Sequence, residues 1–379
     1  MSPDRRTGPV TPSAGRSTGD RRPVRGPADA GAAQSSGMTA GIEDVARAAG
    51  VSTATVSRAL RGMPNVNPAT RVRVKAAADA LGYVASPSAA SLASGRTRAI
   101  GLISPWVNRW FFSNVIDATE RALRSHGYDV LLYTFDIRRQ GARPRVDPDV
   151  LRRRVDGIIV VGLPLEDDEM DALIALGYPL VCIGWGGSDQ ATVRLDDRET
   201  ALEAMRHLIG LGHRRIAHLT GTPDDIHKWS PPVGRAAGWR EALVEAGIEP
   251  DPTLAEHGDF EVEGGRASMT ALLARVPDLT AVFAASDEMA MGAILALREA
   301  GVRVPQDVSV IGIDGHELGE LVGLTSMAQP VDAQGKAAAT MVLDMIAGVT
   351  PPQRVIYPTS LLRRTSTAPA RTWDLPTRR

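Results

Sequence analysis

The chain has little of what builds covalent or metal-bound frameworks. A single cysteine, Cys182, in 379 residues excludes an intrachain disulfide network and any zinc site built on thiolates. The amino-terminal end carries Arg and Pro where a secretory signal needs about 7–15 apolar residues. No apolar run approaches the roughly 18 residues of a membrane-spanning helix. These absences lead us to expect a protein of the reducing cytoplasm with no membrane partner. Catalytic signatures are missing too. There is no G-x-S-x-G elbow, no H-E-x-x-H and no phosphate loop, since Gly335-Lys336 is followed by Ala337. Gly101 lacks the G-x-G-x-x-G of a dinucleotide fold. The seven histidines, among them His207, His213 and His218, show no metal spacing, and Cys182 sits in the apolar run Val181-Cys182-Ile183 as an inert thiol would. We therefore expect no enzyme, no catalytic residue, no metal and no cofactor.

Hydrophobic residues make up 43% of the chain, enough for two to three globular domains and a pocket. The net charge of −1 conceals an asymmetry. Residues 1–98 hold 14 basic and 6 acidic side chains, net +8, and the remainder 29 basic and 38 acidic, net −9. A basic unit ahead of an acidic body suits a polyanion-binding module joined to a separate sensing body. Residues 1–37 are low-complexity and read, through residue 41, as a disordered tail, although Arg5-Arg6 and Arg21-Arg22 are suited to touching phosphates.

From Ile42 a pattern begins. Ile42, Val45, Ala46 and Ala49 fall on one face of a short helix, and Gly50 ends it. Ser52 caps a second helix, Thr53 to Leu60, and Asn67-Pro68 opens a third, Ala69 to Leu81. Three short helices with a tight glycine turn form a helix-turn-helix unit. In such units the second helix enters the major groove. Thr53, Ala54 and Arg58 point outward, while Val56 and Leu60 point inward. Arg58 suits a bidentate bond to guanine, and Ser52, Thr55 and Ser57 suit phosphate contacts. Residues 84–98 are too short and polar to fold alone and read as a linker that becomes helical when docked.

Beyond Ala99, apolar runs alternate with amphipathic helices. Strands are expected at Ala99–Ser104, Asp129–Tyr133, Gly157–Val161, Leu180–Ile183, Arg215–Leu219, Ala281–Ala284 and Ser309–Ile313. Helices between them include Ser113–Ser125, Arg198–Leu211, Arg235–Ala246, Gly265–Ala274, Asp287–Ala300 and Val331–Ala347. This alternation implies parallel sheets covered on both faces, and its length implies two α/β lobes with a ligand cleft between them.

The motifs Asp44-Val45-Ala46, Gly50-Val51-Ser52, Thr55-Val56-Ser57-Arg58 and Leu81-Gly82-Tyr83 resemble the DNA-binding signature of the lactose-repressor (LacI/GalR) family. The likeness runs on through Ser91 to Thr97, Arg235 to Trp239, Asp287 to Ala293 and Asp307 to Asp314. It implies a body similar to the periplasmic-binding-protein fold, and a homodimer on a pseudo-palindromic operator of double-stranded DNA. The expected organisation is a tail at 1–41, the helix-turn-helix domain at 42–85 and a hinge helix at 86–95. Lobe 1 is expected at 96–197 and 328–358, lobe 2 at 198–327 and 359–367, and a second tail at 368–379. In the hinge, Ala89 and Leu92 match DNA-contacting positions, with Leu92 as the minor-groove wedge.

The resemblance also maps an effector pocket onto Trp106, Phe111, Trp185, Arg235, Phe260, Ser286, Asp287, Asp314 and Gln329. The chemistry is coherent: Arg235 and Asp314 suit a vicinal diol, and the aromatics suit the apolar face of a ring. Aromatics are only 4% of the chain, which makes two tryptophans past strand ends informative. Two departures, Ser286 in place of a common Asn and Arg109-Trp110 in place of a common Asn-Pro, leave a nucleobase-type effector open beside a sugar-like one. The reading is a ligand-responsive repressor acting at the nucleoid. A solute-binding receptor is the rival that the two lobes allow and the basic head opposes.

Overall fold

The computed structural model describes residues 40–83, 95–134, 145–163, 165–186, 189–221 and 230–371. The amino-terminal tail to residue 39 and the hinge with Ala89 and Leu92 lie outside the described residues. The chain divides into two compact units, residues 1–85 and 86–379.

The first unit is a three-helix head: α1 (Ile42–Ala49), α2 (Thr53–Leu60) and α3 (Pro68–Ala80). Its helices are short, so their ends decide them. Gly50 adopts the left-handed φ of 62° that stops α1 and turns the chain sharply toward α2, a conformation a β-carbon would strain. Ser52 Oγ accepts the Thr55 N–H at 3.2 Å, and Asn67 Oδ1 accepts the Ala69 N–H at 2.9 Å with Pro68 in the first turn. Val45, Val56 and Val74, one from each helix, are completely buried against one another's helices. Arg73 Nε donates to Ala49 O at 2.9 Å and so ties α3 to the end of α1.

The second unit has two lobes, each with a six-stranded sheet. Lobe 1 takes β1 (Ala99–Ser104), α4 (Trp110–Ser125), β2 (Asp129–Thr134), β3 (Gly157–Val161), α5 (Asp167–Ile174), β4 (Leu180–Ile183) and β5 (Ala191–Leu195). Lobe 2 takes α6 (Asp197–Gly210), β6 (Ile216–Thr220), α7 (Ser230–Glu245), β7 (Ala255–His257), α8 (Val262–Arg275), β8 (Ala281–Ala284), α9 (Asp287–Glu299), β9 (Ser309–Asp314) and β10 (Thr325–Ala328). The chain then returns to lobe 1 for α10 (Val331–Ile346) and β11 (Arg354–Tyr357), and to lobe 2 for β12 (Ser360–Leu362). It therefore crosses between the lobes three times.

The orders are β11-β5-β4-β3-β1-β2 and β12-β10-β9-β8-β6-β7. Every pairing is parallel except β10 with β12, which is antiparallel. The central strands are buried on both faces, which is why they read as unbroken apolar runs. Sheet 1 separates two cores: Ile100, Leu102 and Ile159 face α4 and α10, and Ile103, Ile158 and Val160 face α5. Lobe 2 has one continuous core around Phe283, Met289 and Trp239.

The structure extends lobe 2 past the expected boundary. His213 Nε2 lies 3.0 Å from Ala368 O, and the Ala370 N–H donates to Leu211 O at 2.8 Å. Residues 368–370 are thus part of the fold, and of the expected second tail residues 372–379 lie outside the described residues.

His218 shows how this core treats a titratable group. Its ring stacks against Phe283 (4.8 Å between centroids, 10° between planes) and Trp239 (5.7 Å, 24°). Nδ1 is 3.0 Å from Phe283 O, so the neutral ring donates there, and Nε2 is buried without a partner. Burial pushes the pKa down to about 4. The unfolded chain takes up this proton below its ordinary value of about 6.5, and the folded chain only near 4, so stability falls as the pH drops between them. His218→Phe keeps the aromatic stack and should reduce the loss of urea midpoint between about pH 7 and about pH 4.5. An unchanged pH slope would assign the acid sensitivity to other groups.

Candidate functional site

In a doubly wound sheet the crevice lies beyond the carboxyl ends of the strands, where the strand order reverses. Here that point falls between β1 and β3 in lobe 1 and between β6 and β8 in lobe 2. The two crevices face one another across a shared cavity. Trp106 and Gly162 line it just past β1 and β3, and Ser286 just past β8. Phe260 follows β7, Asp314 ends β9, and Phe111 and Phe112 come from the first turn of α4.

One wall is aromatic. Trp106 meets Phe112 edge-on at 5.1 Å, and Phe111 meets Phe112 edge-on at 5.2 Å. The rest is polar and strongly bonded. Arg235 Nε donates to Asp197 Oδ1 at 2.9 Å, with both side chains almost completely buried, and Arg235 Nη1 donates to Ala285 O. Burial pushes the Asp197 carboxyl up, and Arg235 opposes that shift. Gln334 Nε2 donates to Gln329 Oε1 at 3.0 Å, and Gln329 Nε2 to Asp314 Oδ1 at 2.7 Å. This relay runs from α10 in lobe 1 to the end of β9 in lobe 2.

Seven of the nine expected pocket residues converge on the cavity: Trp106, Phe111, Arg235, Phe260, Ser286, Asp314 and Gln329. Two do not. Trp185 packs against the core that contains Cys182, Leu180 and Leu173, on the opposite face of sheet 1 from Phe112, because it follows β4 on the side toward α5. Asp287 braces the turn after β9 instead: its Oδ2 accepts from the Gly315 N–H (2.9 Å), the His316 N–H (2.8 Å) and Ser326 Oγ (2.8 Å). Its Oδ1 fills the space over Gly312, where a β-carbon would lie only 2.1 Å away, so the strand needs glycine there. Arg235 and Asp314, the two groups expected to suit a vicinal diol, are also engaged by protein partners, Asp197 and Gln329 respectively. Sequence reasoning did not select Arg109, Asp197, Glu288 or Gln334, all of which line the cavity. Asp197 carried a signal, as an acid in the first turn of α6, but nothing local tied it to Arg235.

Asp287 and Asp314 form a buried acid pair, with the Asp287 N–H 3.4 Å from Asp314 Oδ2. Burial raises both carboxyls, and the neighbouring Asp287 charge raises Asp314 further, while Arg235 opposes this. Two such groups resist ionising together, so Asp314 holds its proton well above the ordinary carboxylate range. Among the described residues no cluster of three or more His, Cys, Asp or Glu side chains could hold a metal ion.

In the head, Ser52, Thr53, Ala54 and Arg58 are exposed, Thr55 and Ser57 half-buried, and Val56 buried. Arg58 Nε donates to Ala54 O at 3.2 Å, which leans its guanidinium along the solvent face of α2. The Ser52 hydroxyl is occupied as the cap of α2 and lies 2.9 Å from Thr55 Oγ1.

With this geometry in place, comparison with known proteins decides the lineage. Residues 41–86 match the profile described as bacterial regulatory proteins, lacI family, and residues 205–367 match a periplasmic binding protein-like domain. The HTH-type transcriptional regulator CelR of Thermobifida fusca is 36% identical over 338 residues, covering 86% of this chain and 97% of CelR. The chain belongs to the LacI family. The HTH-type transcriptional repressor PurR of Erwinia tasmaniensis is 37% identical over 337 residues, covering 85% and 96%. Among solved structures, a CelR–cellobiose complex aligns with a TM-score of 0.64 at 34% identity, covering 86% of this chain and 99% of the other. The lac repressor dimer bound to operator and an anti-inducer aligns with a TM-score of 0.76 at 27% identity, covering 87% and 100%. This LacI-family protein is a transcriptional regulator with a helix-turn-helix head and a two-lobed α/β body. Among its described residues no helix is long and apolar enough to cross a membrane.

The acid pair makes a measurable claim about this regulator. Burial and the Asp287 charge push Asp314 up to about 8, so ionising it in the folded state costs stability. The unfolded chain loses this proton near the ordinary carboxylate value, so the cost grows as the pH climbs from there through the folded value. Asp314→Asn removes it. The stability of the variant relative to the parent should therefore rise between about pH 5 and about pH 8, by at most about 1.4 kcal/mol for each tenfold fall in proton concentration. Urea denaturation across that range measures it. A gap that stays constant with pH would show that Asp314 is already ionised at pH 5.

Proposed function

We propose that this protein is a repressor that binds a pseudo-palindromic operator as a homodimer and answers to a small sugar-like metabolite held between its lobes. The observation that carries the reading is the pairing of a basic head, whose α2 exposes Thr53, Ala54 and Arg58, with a body whose two switch points enclose one cavity. Arg58 reads a base edge, Ser57 and Thr55 touch phosphates, and Ser52 sets the start of the reading helix. Ala89 and Leu92 in the hinge, 86–95, enter the minor groove at the operator centre, where an apolar wedge kinks the duplex. Residues 42–85 are the DNA-binding domain, and the body with its two lobes is the sensor. DNA binding places the protein in the cytoplasm with the nucleoid.

The aromatic wall of Trp106, Phe111, Phe112 and Phe260 supports a ring-shaped effector, and the polar bracket of Arg235, Asp314, Gln329 and Ser286 supports hydroxyl groups on that ring. The complex of CelR with cellobiose and a LacI-family regulator of Enterococcus faecium with bound ribose favour sugars. The site senses and does not turn over its ligand. Trp185 and Asp287, matched by resemblance alone, act from behind the cavity wall.

Selection from a pool of random duplexes should enrich a two-fold symmetric site. Arg58→Ala should then lose preference at one base position per half-site, a discrimination of about 1–3 kcal/mol, with little change in non-specific affinity. A screen of sugars and nucleobases by thermal shift should find a ligand that raises the unfolding midpoint and changes operator affinity by roughly 5–150-fold. Enrichment of no symmetric site would overturn the reading.

A further inference from the structure

Arg109 and Trp110 belong to lobe 1, where they open α4, yet both make polar contacts with lobe 2. Arg109 Nη1 donates to Asp259 O at 2.9 Å and Nη2 to Glu261 Oε1 at 2.6 Å. Its guanidinium lies over the Trp106 ring, 3.9 Å from the centroid, and the residue is only 8% exposed. The Trp110 N–H donates to Glu288 Oε1 at 3.4 Å and its indole N–H to the Glu317 carboxylate, while its ring stacks on His316 at 5.3 Å and 23°.

Three separate segments of lobe 2 receive these contacts: the turn after β7, the start of α9 and the turn after β9. Each offers acceptors, and the dipeptide offers donors, so the match is one of chemistry as well as shape. The gripped turn is unusual. Asp259 and Phe260 are consecutive non-glycine residues at φ 52° and 57°, a conformation that persists only where the surroundings hold it. Phe260 lines the cavity, so the grip on Asp259 O also sets one wall of the site. Meanwhile the guanidinium covers the Trp106 face that a ring-shaped ligand would seek.

We propose that Arg109 and Trp110 are a latch that holds the cleft closed with no effector bound, and that a ring ligand enters by displacing Arg109 from Trp106. The second half deepens the effector reading of the cavity and rests on it. The first half stands on the cross-lobe contacts alone. Closure without ligand is then a property of the chain itself, and effector binding exchanges one set of closing contacts for another.

The test is a distance between the lobes in the full-length, ligand-free protein. Cys182 is buried, which directs nitroxide labels to D171C on the exposed face of α5 and R298C on the exposed face of α9. Pulsed electron–electron double resonance of the labelled parent should give one dominant short separation. Arg109→Gln and Trp110→Phe should each move population to a longer separation, and the double variant should raise the open:closed ratio about tenfold or more. Glu261→Gln weakens the ion pair from the lobe 2 side and leaves the arginine itself and its bond to Asp259 O in place. It should shift the ratio in the same direction, and it decides the matter if Arg109→Gln fails to fold. A parent that is already mostly at the longer separation, or variants that keep the parental distance, would overturn the latch. No effector enters the measurement, so a cavity that binds no sugar would leave the latch standing, and a missing latch would leave the effector reading standing.

Discussion

Everything the body can do follows from a reversal of strand order. A parallel sheet wound in both directions from β1 leaves a notch at the carboxyl ends of β1 and β3, where successive connections leave toward opposite faces. The chain builds this arrangement twice and joins the copies by three crossings, so both notches open toward each other. Side chains that end up facing across the cavity, such as Trp106 and Ser286, need no proximity in sequence. They need only sit one or two residues past a strand end. Gln329 and Gln334 lie on a crossing and on the helix it leads into, which is why their relay to Asp314 couples the lobes directly.

The cleft is also where the fold concentrates buried charge. Isolated, each of these groups would be expensive in a low-dielectric interior, and removing one partner of a buried pair typically costs about 3–5 kcal/mol. The chain answers differently at each place. Arg235 and Asp197 neutralise one another, Asp287 is held by two backbone N–H groups and a hydroxyl, and Asp314 keeps a proton. Arg235 is therefore as much a structural tie as a recognition group. Truncating it would strand Asp197 and confuse a loss of ligand response with a loss of fold.

Much of this was legible in the sequence where local physics dominates. The head's three helices follow from Gly50, Ser52 and Asn67-Pro68, each of which forces a boundary by its own backbone chemistry, and the observed limits of α1 and α2 match those expected. The doubly buried strands read clearly because they are apolar throughout. Five strands did not. β5 mixes Thr192 and Arg194 with apolar residues, β10 reads Thr-Ser-Met-Ala, and β7, β11 and β12 are short edge strands with exposed faces. Their existence depends on a neighbour to pair with, which no local pattern reports. Helices α4 and α8 also begin about one turn earlier than periodicity suggested: α4 opens on Trp110-Phe111-Phe112, of which Phe111 and Phe112 line the cavity, and α8 on Val262-Glu263-Gly264-Gly265, whose glycines pack closely on Gly258 and Met289. The pocket divides in the same way. Of two tryptophans past strand ends, Trp106 lies beside the cavity and Trp185 does not, because a residue past β4 can fall on either face of the sheet, and the packing on the Cys182 side takes Trp185.

Regulation by such a cleft is a matter of magnitudes. Shifting a two-state equilibrium from 1:99 to 99:1 takes a differential affinity of about 5.5 kcal/mol. A small ligand supplies that only if the open and closed states start close in energy. Contacts at the rim, such as Trp110 with Glu317, contribute at most about 1 kcal/mol each because Glu317 remains largely solvated. Arg109 is different. It is buried, stacked on Trp106 and bonded to two groups of the opposite lobe. A closing force held mainly in one buried cation can be taken over by a ligand that occupies the same aromatic face, whereas one spread over many surface pairs would have to be undone piece by piece. Placing this cross-lobe contact inside the cavity, against the ring a ligand would use, makes the ligand and Arg109 compete for the same few ångströms.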